Sequence, residues 1–66
     1  MTSIPFLQAR AAAARDELTV AAIELANDMY AGRVSGEAAR DRYIDAQIDD
    51  ARAVTDLHDA RLAAIA

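Results

Sequence analysis

Only three of the 66 residues in this chain are prolines or glycines, and their positions divide it into two long uninterrupted segments. Pro5 lies near the start, where the first turn of a helix tolerates it, while Gly32 and Gly36 lie near the middle. Both segments are rich in Ala, Leu, Arg and Glu, which are strong helix formers. The spacing predicts one helix over about residues 4–31 and a second over about 36–64.

These two helices are joined by a predicted turn at residues 32–36. Helices connected by so short a turn pack side by side in opposite directions. The predicted fold class is therefore all-α, a single domain over residues 1–66 that forms a two-helix antiparallel αα-hairpin.

Capping residues stand at the expected ends of both helices. Thr2 or Ser3 can cap the first helix, and Gly32 occupies the position where a left-handed residue ends it. Ser35 is a suitable cap for the second helix, and Glu37 places a negative charge in its first turn.

Apolar residues recur along each segment at helical spacing and predict the packed faces. The predicted stripe on the first helix comprises Leu7, Ala11, Ala14, Leu18, Ala22, Leu25 and Met29. On the second helix it comprises Ile44, Ile48, Ala51, Thr55, His58, Leu62 and Ile65. The second stripe alternates steps of four and three, as a heptad seam does. We expect the larger members of both stripes, together with His58, to form the helix–helix core.

Further apolar residues lie away from these stripes. They are Val20, Ile23 and Tyr30 on the first helix, and Tyr43, Val54 and Leu57 on the second. A lone hairpin buries one face of each helix, so we expect these six residues to contact another molecule. So short a chain also needs extra stabilisation, and association into a four-helix bundle is the simplest source. The expected partners are the chain itself, as a dimer or tetramer, and another protein.

The sequence carries no recognisable catalytic, cofactor or metal site. It has no Cys and a single histidine, His58, whose neighbours one turn away are Val54, Thr55, Arg61 and Leu62. Zinc sites and nucleophilic triads need more ligands or partners than this. We therefore predict that the protein is not an enzyme and holds neither a cofactor nor a metal.

Acidic residues dominate the second half of the chain. The aspartates in this half are Asp41, Asp45, Asp49, Asp50, Asp56 and Asp59. We expect them to form a solvated outer face, with pairs within the helix between Arg42 and Asp45, Asp49 and Arg52, and Arg52 and Asp56. The net charge of −4 disfavours nucleic acid as a partner. Neither a secretion signal nor a membrane span is evident, so a cytoplasmic location is expected.

Two resemblances concern the turn and the overall topology. The segment from Tyr30 to Ala39 is similar to turns in small bacterial antitoxins, including those that silence Fic-type adenylyltransferases. The inhibitory signature of those antitoxins is a Ser or Thr, three further residues, and a Glu that is followed by Gly or Asn. It is not matched here, because Thr19 lies five residues before Glu24 and Leu25 follows that Glu. In length and topology the chain resembles the Rop type of plasmid copy-number regulator, which implies RNA binding as an alternative.

The predicted function is that of a small acidic helical protein that self-associates and binds a partner protein, as an inhibitor or antitoxin-like regulator does. Val20, Ile23, Tyr30, Tyr43 and Leu57 are the expected anchors. The alternatives are a structural subunit of a phage particle or larger complex, and an RNA-binding hairpin.

Overall fold

The structure, a computed structural model, describes residues 3–32 and 36–65. Helix α1 spans Ile4–Tyr30 and helix α2 spans Gly36–Ile65, and the described residues contain no strand. The predicted all-α hairpin of two helices is confirmed. The helix ends lie within a residue of those that Pro5, Gly32 and Gly36 predicted.

Both ends of α1 are formed by the predicted residues. The Ser3 hydroxyl accepts a hydrogen bond from the backbone N–H of Phe6 at 3.3 Å, as an N-cap does. At the other end Gly32 has a φ of +68°, and its N–H donates to the carbonyl oxygen of Met29 at 3.1 Å. This left-handed conformation suits glycine and ends the helix. The predicted caps Thr2 and Ser35 lie outside the described residues.

Ion pairs between the helices fix their relative direction. They join Arg10 to Asp56, Arg15 to Asp50, and Glu24 to Arg42. Residue numbers rise along α1 while those of their partners fall along α2, so the helices are antiparallel. The result is a rod with principal extents of 51 × 15 × 14 Å.

The contact between the helices, called here the inner seam, follows a heptad pattern on both. Its buried and half-buried members on α1 are Ile4, Leu7, Ala11, Ala14, Leu18, Ala21, Leu25 and Asp28. On α2 they are Ala39, Tyr43, Ala46, Asp50, Ala53, Leu57 and Ala60. Alanine occupies every seventh position of α2, and Ala53 is fully buried with 0% exposure. Small side chains at regular steps let two helix backbones approach closely.

Within the hairpin, most of the residues predicted as core on α1 are covered, whereas those predicted on α2 are not. Leu7 is buried and Leu18 and Leu25 are half-buried, whereas Met29 is 71% exposed. On α2 every predicted core residue is exposed: Ile44, Ile48, His58, Leu62 and Ile65. The seam of α2 passes instead through the row of alanines and the row that contains Tyr43 and Leu57, which turns the isoleucines and Leu62 away from α1. The prediction selected the stripe with the largest apolar residues, whereas the close approach of the helices depends on the smallest.

Candidate protein interaction surfaces

The stripe predicted as the core of α2 forms a continuous exposed surface, called here the outer stripe. Its members are Ile44, Ile48, Ala51, Thr55, His58, Leu62 and Ile65. At 100° per residue it lies roughly 150° around α2 from the inner seam, on the side turned away from α1. The stripe therefore has heptad spacing, but it does not face α1.

Burial within the hairpin is shallow. Among residues 3–32 and 36–65 the buried apolar ones are Leu7, Ala14, Ala21, Ala39 and Ala53, so Leu7 is the one large side chain in that set. An alanine contributes about 0.8 kcal/mol at most for its single methyl group, well below a buried leucine or isoleucine. Much of the apolar surface that could stabilise the chain thus lies outside the hairpin contact.

The six expected partner-binding residues divide into two groups. Val20, Ile23, Tyr30 and Val54 are exposed, with Tyr30 at 97%. The other two, Tyr43 and Leu57, are half-buried members of the inner seam. Their expected role as a free flank is therefore wrong in the hairpin, because the seam of α2 passes through them. The Tyr43 hydroxyl also accepts a hydrogen bond from the Gln47 side-chain amide at 3.2 Å.

Two of these ion pairs form a ladder along one side of the rod. Arg10 lies 2.6 Å from Asp56 and Arg42 lies 3.4 Å from Glu24. These pairs replace the predicted contacts of Arg42 with Asp45 and of Asp56 with Arg52. They connect the two helices, so they support the hairpin rather than one helix alone.

The middle of this ladder contains two acids instead of an ion pair. In both flanking pairs the residue numbers add up to 66, and the same register places Glu17 opposite Asp49. An open groove of about 570 Å³ lies at this point. It is lined by Asp16, Glu17, Val20, Ala21, Glu24, Arg42, Asp45, Ala46 and Asp49. The sequence analysis missed this groove, although the seven-residue spacing of Arg10, Glu17 and Glu24 could have indicated the ladder.

Asp50 is a charged residue within the inner seam. The residue is 9% exposed, and its Oδ2 lies 3.2 Å from Nη2 of Arg15. Its Oδ1 is buried without a hydrogen-bond partner among the described residues. The expectation that Asp50 belongs to the solvated outer face is wrong, because the heptad register of α2 places it between Ala46 and Ala53.

The described residues contain no group of three or more His, Cys, Asp or Glu side chains able to hold a metal ion. His58 is exposed on the outer stripe. Neither described helix combines the length and apolarity needed to span a membrane. No protein-family model, curated protein or solved structure matches the chain significantly.

Proposed function

We propose that this protein is a non-enzymatic interaction protein that self-associates through its outer stripe and binds a partner protein, as a small inhibitor or antitoxin-like regulator does. The observation that carries the proposal is the exposure of every residue of a seven-member heptad stripe. Such a stripe is the typical contact surface of one helix with another. A protein of this size gains stability by burying it.

The partner protein is expected to use apolar residues that self-association leaves free. Ile23 and Tyr30 lie on α1, away from the outer stripe, and both are exposed. Exposed aromatic and aliphatic residues of this kind are the usual anchors of protein–protein contacts. The acidic groove supports a protein partner over RNA, since its carboxylates repel phosphate groups.

Self-association is tested by sedimentation equilibrium of the whole chain. The variant carries Ile48→Gln and Leu62→Gln, which make the outer stripe polar at two positions. The matched control is Ile23→Gln, since Ile23 and Ile48 are exposed to a similar extent at 55% and 46%. We expect the native chain and the control to form oligomers and the double variant to be monomeric. A native chain that is monomeric at every concentration would contradict the proposal.

Partner binding is tested separately, with Ile23→Ser and Tyr30→Ser combined. This variant should keep its helicity by circular dichroism and its self-association, but fail to retain the protein that co-purifies with the native chain. A partner encoded beside a toxin-like gene would support the regulatory role, and one encoded among virion genes would favour a structural subunit.

A further inference from the structure

On the premise that the proposed self-association occurs, the residues of the outer stripe determine the orientation in which two copies of the chain pair. We infer that a second copy of this chain docks on the outer stripe with its α2 antiparallel to the first. The two α2 helices then lie side by side in the middle, and each α1 packs on the outside. The contact is two-fold symmetric, so each pair of residues occurs twice.

The layers of the stripe favour this orientation. In a parallel pair identical residues face each other, so His58 meets His58 of the second copy. In the antiparallel register His58 instead meets Thr55 of the second copy, which can form a hydrogen bond with it. The same register places Ala51 opposite Leu62 of the second copy, a small residue against a large one. Ile48 then meets Ile65 of the second copy, so the polar layers lie at the centre and the apolar layers outside them.

The charges beside the stripe select the same register. Arg52 and Asp59 follow Ala51 and His58 directly and lie along one edge of the stripe. Both are exposed, and neither forms an ion pair within the described hairpin. In the antiparallel register Arg52 lies within two residues of Asp59 of the second copy, so two ion pairs form by symmetry. A parallel pair places Arg52 beside Gln47 and Asp59 beside Val54, which leaves both charges unpaired.

Disulfide formation between single-cysteine variants measures the orientation directly, because the native chain has no cysteine. Ala51→Cys and Leu62→Cys are prepared separately and oxidised alone and as an equal mixture. In the antiparallel register Cα atoms of residue 51 in the two copies are separated by roughly 16 Å along the axis, too far for a disulfide. We expect a covalent dimer in the mixture that contains one chain of each variant, and little from either variant alone.

The other outcomes are distinguishable. Covalent dimers from each variant alone would overturn the antiparallel orientation in favour of a parallel one. A chain that sediments as a dimer yet forms no disulfide in any combination would show that a different surface mediates association. If the reduced variants and the native chain all sediment as monomers, the proposed self-association itself fails.

Reversing the charges of Arg52 and Asp59 tests the proposed ion pairs between the two copies independently of the disulfide experiment. Arg52→Asp should weaken association on the order of fivefold, since two exposed ion pairs become repulsive. Adding Asp59→Arg to that variant should restore the affinity, because the pairs re-form with reversed charges. Arg40→Asp is the control for net charge, and we expect it to change association by less than about twofold. A double variant no tighter than Arg52→Asp would overturn the proposed register.

Discussion

Replacing Asp50 with alanine is expected to stabilise the hairpin, although the change removes an ion pair. Asp50 lies in the inner seam between Ala46 and Ala53, and one of its carboxylate oxygens is buried without a hydrogen-bond partner among the described residues. The heptad positions equivalent to Asp50 hold Tyr43 and Leu57, which are uncharged, so alanine removes the one charge from this row without adding another polar group.

The size of the effect follows from three contributions. Removing the pair with Arg15 loses at most about 1 kcal/mol, because the Arg15 side chain is 64% exposed and its charge is screened by water. Relieving a buried oxygen that lacks a partner gains about 1–3 kcal/mol. The higher helix propensity of alanine adds about 0.5 kcal/mol. The free energy of unfolding should therefore rise by about 0.5–2.5 kcal/mol.

Urea denaturation followed by circular dichroism measures this change, with the protein concentration held constant because association also contributes to stability. Asp41→Ala is the matched control, since Asp41 is exposed on the same helix and reports the propensity gain alone. A stability of Asp50→Ala at or below that of the native chain would refute the reasoning. It would show that the Arg15–Asp50 pair stabilises the hairpin more than a half-exposed pair can.

Two other changes test the ladder and the turn. Glu17→Arg should raise the free energy of unfolding by about 0.5 kcal/mol, because it places a cation opposite Asp49, and the gain should largely disappear at about 1 M salt. A gain of equal size at high salt would point to a cause other than charge. Gly32→Ala should lower the free energy of unfolding by about 1 kcal/mol, since φ at this position is +68° and the space around it is open, so backbone strain is the main effect. Unchanged stability of this variant in urea would mean that the turn adopts another conformation at little cost.

The hairpin could be predicted from the sequence because the signals for it lie between residues that are close together in the chain. Helix breakers, the Ser3 cap and the left-handed position of Gly32 depend on residues within one turn of each other, and the structure confirms all of these features. The contact face of α2 depends on a different balance. Hydropathy ranks isoleucine above alanine, so the analysis selected the stripe with Ile44 and Ile48. Backbone approach between two helices favours alanine, and that preference determines the observed seam.

The same reasoning explains why Asp50 and the acidic groove were not predicted. Because charged residues are usually exposed, sequence analysis places Asp50 outside the core. Only the register between α1 and α2 shows that Asp50 lies within the inner seam. The groove requires the same register, since Glu17 and Asp49 are far apart in sequence. Recurrence of alanine at every seventh position of α2, from Ala39 to Ala60, was the available signal for both.

The two stripes of α2 together suggest that folding and association are coupled. The seam, in which alanine is the most frequent residue, buries few large apolar side chains, whereas the outer stripe carries large apolar residues that the hairpin leaves in water. If a second copy covers that stripe, part of the stability of the fold depends on protein concentration. Helicity should then fall as the native chain is diluted below the dissociation constant of the dimer, and the Ile48→Gln/Leu62→Gln variant should show reduced helicity at every concentration. A variant that keeps full helicity as a monomer would show that the alanine seam and its ion pairs suffice to fold the hairpin.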